Sequence, residues 1–220
     1  MKYELLEHGI AKISLDNGKA NAISFDLATD LINALDRAKE DAKAVLICGN
    51  PGIFSAGFDL KVIAQGMDVA AEMLGQGMLL TEKLYSHPQP VITACEGHSV
   101  GMGVFIMLAA DYRVGASGEF AIRLPETAIG MHFSPILKII AKAHICPTHH
   151  ARAIVQSRAY MPSAAATMGM LDEVVEPAKV IEQALLRAKE LTELPADQYA
   201  ENKLYMRSDA IEAIRISLDL

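Results

Sequence analysis

The sequence predicts an α/β protein whose strands pair in parallel. Two short apolar runs, AVLICG at 44–49 and PVITACEG at 90–97, are continuous rather than alternating, the pattern of strands buried on both faces. Each leads into a glycine-rich loop that opens a helix, so a strand-loop-helix unit recurs at 44–65 and 90–111. The second of these helices, GMGVFIMLAAD at 101–111, is apolar all round and belongs inside the molecule.

The other elements follow in chain order. IAKISLD (10–16) alternates and is rich in β-branched residues, which predicts a strand. FDLATDLINALDRAKED (25–41) sets apolar residues at helical spacing behind Ser24, a good N-cap. NPGIFSAGFDLKVI reads as a Gly/Pro loop entering a helix, and VAAEMLGQGMLLTEKLYSH (69–87) as a further helix. YRVGA and EFAIRL are short strands about a Gly/Ser turn. From Ser134 helices dominate, interrupted by DEVVEP (172–177). Pro147-Thr148 before HHARAIV predicts a capped helix start, and PADQYAENKLYMRSDAIEAIRISLDL allows one long helix.

Composition limits the function classes. The 220 residues suit one domain with a substantial core, at 51% hydrophobic and 21% charged. A net charge of −7, with acids and bases interleaved, argues against nucleic acid, which needs a basic face. No apolar run reaches the roughly 18 residues of a membrane span, and MKYELLEHGI lacks the apolar core of a signal peptide. Cys48, Cys95 and Cys146 are widely spaced among apolar residues and read as small buried thiols in a reducing compartment, so a cytoplasmic location is expected. HICPTHH (144–150) gathers histidines beside Cys146, but no second cluster completes a zinc motif, and no metal is expected.

Gly97-His98-Ser99-Val100-Gly101 matches the Gly-x-Ser-x-Gly pattern of serine hydrolases. An elbow serine needs an acid and then a histidine later in the chain. The last histidine is His150; Asp111 ends the helix the serine would start, and Asp172, Asp197 and Asp209 have no histidine after them. Nucleophile is therefore the minority reading of Ser99. A second reading starts from FSAGFDLK (54–61) and GHSVGMGVF (97–105), each of which follows a strand and opens a helix through glycines. Free N–H groups at two such turns, side by side, would aim two donors at one oxygen, an oxyanion hole built of backbone. Two ordinary βα turns would look the same.

GNPGIFSAGFDLKVI resembles the first oxyanion loop of the crotonase (enoyl-CoA hydratase/isomerase) family, and PVITACEGHSVGMGVFIMLAADYRVGA its second. FAIRLPETAIGM is similar to the family's Phe-x-x-Pro-Glu-x-x-x-Gly segment, and SRAYMPSAAATMGMLDEVV to its later Gly-Leu-Val-Asp-x-Val-Val stretch. The likeness runs from Lys2 to Val175 with four motifs in order. It implies a crotonase spiral of repeated strand-strand-helix units over 1–176, with a shortened helical segment at 177–220 that serves trimerisation and covers coenzyme A. It implies an acyl-CoA thioester as substrate, coenzyme A being part of that substrate rather than a cofactor, and a homotrimer or dimer of trimers. The oxyanion donors become the N–H groups of Phe58 and Met102, leaving Ser99 a bystander. Ala56, Gly57, Asp59, Leu60, Lys61, Gly101, Gly103 and Phe105 become substrate contacts, as do Lys19 and Ala20 at an early CoA-binding turn. Lys61 reads equally as a cation for the CoA phosphates or as a solvated helix lysine.

The family's shared chemistry is a stabilised thioester enolate. Its hydratases use two glutamates; here Glu126 matches one, while Phe105 stands at the other. Phenylalanine neither donates nor accepts a proton. A lone glutamate suits an isomerase that shuttles a proton between carbons 2 and 4 of an enoyl thioester. Ser134 replaces the aspartate that the family's hydrolases place after this glutamate. The alternatives are a hydratase that recruits another acid or base such as His132, a non-catalytic acyl-CoA binder, and the serine hydrolase.

Overall fold

The computed structural model describes residues 1–18 and 20–220. The chain opens with an antiparallel hairpin, β1 (Lys2–Leu6) and β2 (Ile10–Ser14), and then α1 (Phe25–Asp41), whose first turn is capped by the Ser24 hydroxyl accepting from Leu27 N–H. Three strand pairs follow: β3 (Ala44–Cys48) with β4 (Gly52–Ser55), β5 (Val91–Cys95) with β6 (Gly97–Val100), and β7 (Tyr112–Ala116) with β8 (Ile122–Arg123). Helices separate and follow them: α2 (Leu60–Ile63) and α3 (Met67–Tyr85) after β4, α4 (Met102–Ala109) after β6, and α5 (Pro135–His144) beyond β8. The chain continues through α6 (Pro162–Thr167), β9 (Glu173–Val175), α7 (Val180–Thr192), α8 (Ala196–Met206) and α9 (Ser208–Ser217).

The first member of each pair joins a six-stranded sheet ordered β1-β2-β3-β5-β7-β9, and the second a three-stranded sheet ordered β4-β6-β8. From β2 onward every neighbour in the large sheet is parallel, as is every neighbour in the small one. Each turn of the spiral thus lays one strand in each sheet and then a helix.

The continuous apolar runs have a direct explanation. Along β3, Val45 and Ile47 face one core while Ala44, Leu46 and Cys48 face the other; along β5, Val91 and Cys95 oppose Ile92 and Ala94. Both faces are covered, so alternation of side chains produces no alternation of polarity. The cover on the second face is α7, which brings Val180, Ala184 and Ala188 against these strands. The segment from residue 177 is therefore packed into the same body as the spiral. All eight residues of α4 are buried, as its apolar sequence requires.

Several local expectations are corrected. The segments taken as loops contain β4 and β6. The final stretch is two helices broken at Arg207 rather than one. Pro147–His149 forms a single 3-10 turn, and Ala151–Val155 a π-helical one. Cys48 and Cys95 are buried, but Cys146 is exposed, its thiol within 3.3 Å of the Thr148 hydroxyl.

The last helices are tied down by one carboxylate. Asp111 accepts from Val91 N–H (2.7 Å), from Lys203 Nζ (2.6 Å) and from Arg207 (2.8 Å), all three side chains largely buried. Removing the acid strands two cations away from water. Asp111→Ala is expected to cost about 3–5 kcal/mol in denaturant unfolding, with the loss reduced when Lys203→Met is added.

Candidate active site

The small sheet positions the site. Parallel pairing aligns Gly52 with Gly97 and Ser55 with Ser99, and then Ser99 with Ile122 and Val100 with Arg123. The three strands consequently end together, and the segments leaving them meet: Ala56–Asp59 after β4, Gly101–Met102 after β6, and Pro125–Glu126 after β8.

The first segment is held by the chain just before α1. Buried Asn21, at φ 46°, donates from Nδ2 to Phe54 C=O (3.1 Å), while its own C=O accepts from Ser55 Oγ (2.7 Å). Ser55 Oγ in turn accepts from Gly57 N–H (3.1 Å). Ala56 N–H donates to Ala20 C=O, Ile23 N–H to Gly57 C=O, and Asp59 N–H to Ile23 C=O. The last two bonds fix one edge of this extended segment against Ile23. Successive amides of extended chain point to opposite sides, so the Phe58 N–H faces away from Ile23.

Gly57 and Gly101 are required for separate reasons. Gly57 has φ 84°, and a Cβ there would sit 2.7 Å from Val100 C=O and 3.2 Å from Met102 N. That contact also places the Met102 amide against the first turn. Gly101 has φ 52°, and a Cβ there would approach Glu126 Oε1 at 3.5 Å and Pro125. Met102 is the first residue of α4, so its N–H has no acceptor within the helix.

These pieces surround a cavity of about 270 Å³. Phe58, Met102 and Glu126 all line it, with Ala56, Gly57, Leu60 and Gly101. Much of the remaining wall is apolar: Leu74 and Met78, a turn apart on α3, with Ile129, Met131 and Leu137. Glu126 sits on a 3-10 turn held by Ala128 N–H donating to Ser157 Oγ (3.2 Å). It is 6% exposed, and its Oε2 has no hydrogen-bond partner among the described residues. Burial lifts its pKa from 4.5 to about 7, opposed weakly by a backbone N–H. Among the described residues no group of histidine, cysteine and acid side chains could hold a metal.

The profile of the enoyl-CoA hydratase/isomerase family matches residues 6–215. The chain belongs to this family, within the crotonase superfamily. It is 35% identical to an enoyl-CoA hydratase/isomerase family protein of Pseudomonas syringae of known structure, with TM-score 0.95 over 99% of this chain and 94% of that one. A Mycobacterium tuberculosis protein described in one structure as an enoyl-CoA isomerase and in another as a probable enoyl-CoA hydratase is also 35% identical, with TM-score 0.93 over 99% of this chain and 95% of that one in the first. The human peroxisomal bifunctional enzyme is 28% identical over 205 residues, which is 89% of this chain and 27% of that enzyme. The chain thus spans about a quarter of the length of that curated relative.

Within the crotonase fold, the other expected contacts take different positions. Phe105 is fully buried, stands outside the cavity lining and packs edge-on against Phe133 at 5.8 Å, because α4 is interior on every side. Gly103 packs on Ser55 and Ser99; Asp59 caps α2 by accepting from Lys61 N–H; the Lys61 side chain is exposed. Ala20 contributes a carbonyl to the turn rather than a cavity wall, and Lys19 lies outside the described residues. Ser99 is fully buried, and the adjacent His98 ring accepts from Ala121 N–H. Among the described residues Ser99 Oγ has no hydrogen-bond partner, so no base is paired with it. His132 lines the cavity and is exposed, while Ser134 caps α5.

The sequence reading missed Asn21 and Ser55, whose polar side chains hold the first turn. Ser55 stands inside the FSAGFDLK motif without having been singled out, and Asn21 lies outside the quoted motifs, although asparagine within a turn is the residue type that tolerates positive φ. Leu74 and Met78 were readable as one helix face, but not as a cavity wall.

The raised pKa of Glu126 has a stability consequence. The folded state holds the proton more tightly than the unfolded chain, so stability falls as pH rises from about 4.5 to about 7 and the full cost, about 3 kcal/mol, stands above that. Glu126→Gln is expected to leave unfolding free energy unchanged near pH 4 and to raise it near pH 8 by up to about 3 kcal/mol.

Proposed function

We propose that the protein is an enoyl-CoA isomerase that holds a thioester enolate at the amides of Phe58 and Met102 and shifts the double bond with Glu126 as its single base. The carrying observation is the inventory of acids in the cavity. Among the described residues that line it, the ionisable side chains are Glu126 and His132, and one of these is a carboxylate. Phenylalanine occupies position 105, where the family's hydratases carry their other glutamate.

The chemistry follows from these groups. The thioester oxygen of a 3-enoyl substrate takes the two N–H donors, and ionised Glu126 removes a proton from carbon 2. The C–H electron pair becomes the carbon 1–carbon 2 double bond of the enolate, with negative charge on the oxygen. Donors fixed in advance at that oxygen stabilise the charge without reorganisation, an effect worth several kcal/mol per donor in comparable sites. Protonated Glu126 then returns the proton at carbon 4, and the electrons settle as the carbon 2–carbon 3 double bond. A pKa of about 7 suits both halves, since the same group must take a proton and surrender it. The apolar wall receives the acyl chain. Lys61, exposed and next to the lining residue Leu60, is the cation offered to the CoA phosphates.

Relatives bear the names of hydratases and of isomerases. His132, on the same cavity, favours the second reading, a hydratase in which the imidazole acts with Glu126. Formation of the conjugated product from a 3-enoyl-CoA, set beside water addition to crotonyl-CoA, separates the two. Isomerisation is expected to dominate, and Glu126→Gln to slow it by about 10²–10⁴-fold. Its kcat/KM should rise with pH and level off above about 7, where the base is ionised. Full isomerase activity in Glu126→Gln would eliminate the assignment.

A further inference from the structure

Helix α3 carries Gly75 and Gly77 in its interior, where glycine is tolerated worse than any residue but proline. Their surroundings differ. A Cβ on exposed Gly75 would meet nothing within 4 Å, whereas one on buried Gly77 would lie 2.4 Å from Cζ and 2.5 Å from Cε1 of Phe58. The Phe58 ring therefore rests on bare helix backbone. It also lines the cavity, beside Leu74 and Met78 of the same helix. Phe58 thus meets the helix at Gly77 and borders the cavity as well.

We propose that Gly77 sets the length of acyl chain the cavity accepts: the missing side chain seats the Phe58 ring against α3, and a side chain at 77 would drive that ring into the space the acyl chain occupies. This rests on the acyl-thioester reading above and adds a residue that is not itself part of the cavity wall. The ring moves independently of the catalytic amide. Hydrogen bonds from Ile23 to Gly57 C=O and from Asp59 N–H to Ile23 C=O clamp the backbone on both sides of Phe58. Displacing the ring therefore shortens the pocket before it disturbs the donor.

Gly75→Ala is the matched control, since it gives the same gain in helix propensity with no contact; it is expected to raise the melting temperature by about 2–4 °C and to leave binding unchanged. Calorimetric titration with butanoyl-CoA, decanoyl-CoA and free CoA reads the pocket without requiring turnover. Gly77→Ala should bind decanoyl-CoA about tenfold more weakly, the equivalent of about two methylenes denied burial, and butanoyl-CoA as before. Adding Phe58→Leu, which lacks Cε1 and Cζ, should restore decanoyl-CoA binding. Equal decanoyl-CoA affinity in the two alanine variants would overturn the proposal, as would an equal loss for both chain lengths. So would failure of Phe58→Leu to restore binding in a double variant that melts with the control. If the unsubstituted protein binds neither thioester more tightly than free CoA, the acyl reading itself falls and this proposal with it.

Discussion

Parallel pairing of β4 with β6 is the constraint on which the site rests. It brings two strand ends to one edge, and with them two glycine turns that the chain separates by a long helix and a buried strand. A third strand, β8, adds the glutamate turn to the same edge. The proposed donors, the amides of Phe58 and Met102, are main-chain groups that no side-chain rotamer can move. Their direction is set by strand register, by the Asn21–Ser55 hydrogen bonds and by the start of α4.

Two carboxylates in this protein show how environment assigns work. Asp111 and Glu126 are both withdrawn from water, but Asp111 is met by a backbone N–H and two cations, while Glu126 Oε2 has no partner among the described residues. The first acid is satisfied and holds the closing helices to the body. The second is left in a state that favours its neutral form, which weakens the folded protein and suits a group that exchanges a proton. The instability is localised where the chemistry is proposed.

Much of this was legible in the sequence. Ser24 caps α1, the apolar runs are β3 and β5, and the all-apolar helix lies inside because composition alone forbids any of its faces to meet water. Phe58, Met102 and Glu126 were reachable through motif resemblance and line one cavity. The rest was hidden for identifiable reasons. β4 and β6 are four residues each, rich in glycine, serine and histidine, and owe their extended form to each other rather than to propensity. Arg207 breaks the last helix without proline or glycine, where it bonds Tyr85 C=O and Asp111. Phe105 was expected to touch substrate from its motif position, but the same apolar helix that placed it correctly in the fold also buried it.

The packing of α7 over the outer face of the large sheet bears on how the chain reaches its native state. Val180, Ala184 and Ala188 close a surface made by strands finished far earlier, and Lys203 and Arg207 reach back to Asp111 across most of the second half of the sequence. A ribosome that has released β2 to β7 has therefore produced a sheet with one greasy side uncovered. Until the closing helices emerge, that side is a target for chaperones and for self-association, so the slow and vulnerable phase of biogenesis falls before the final helices dock.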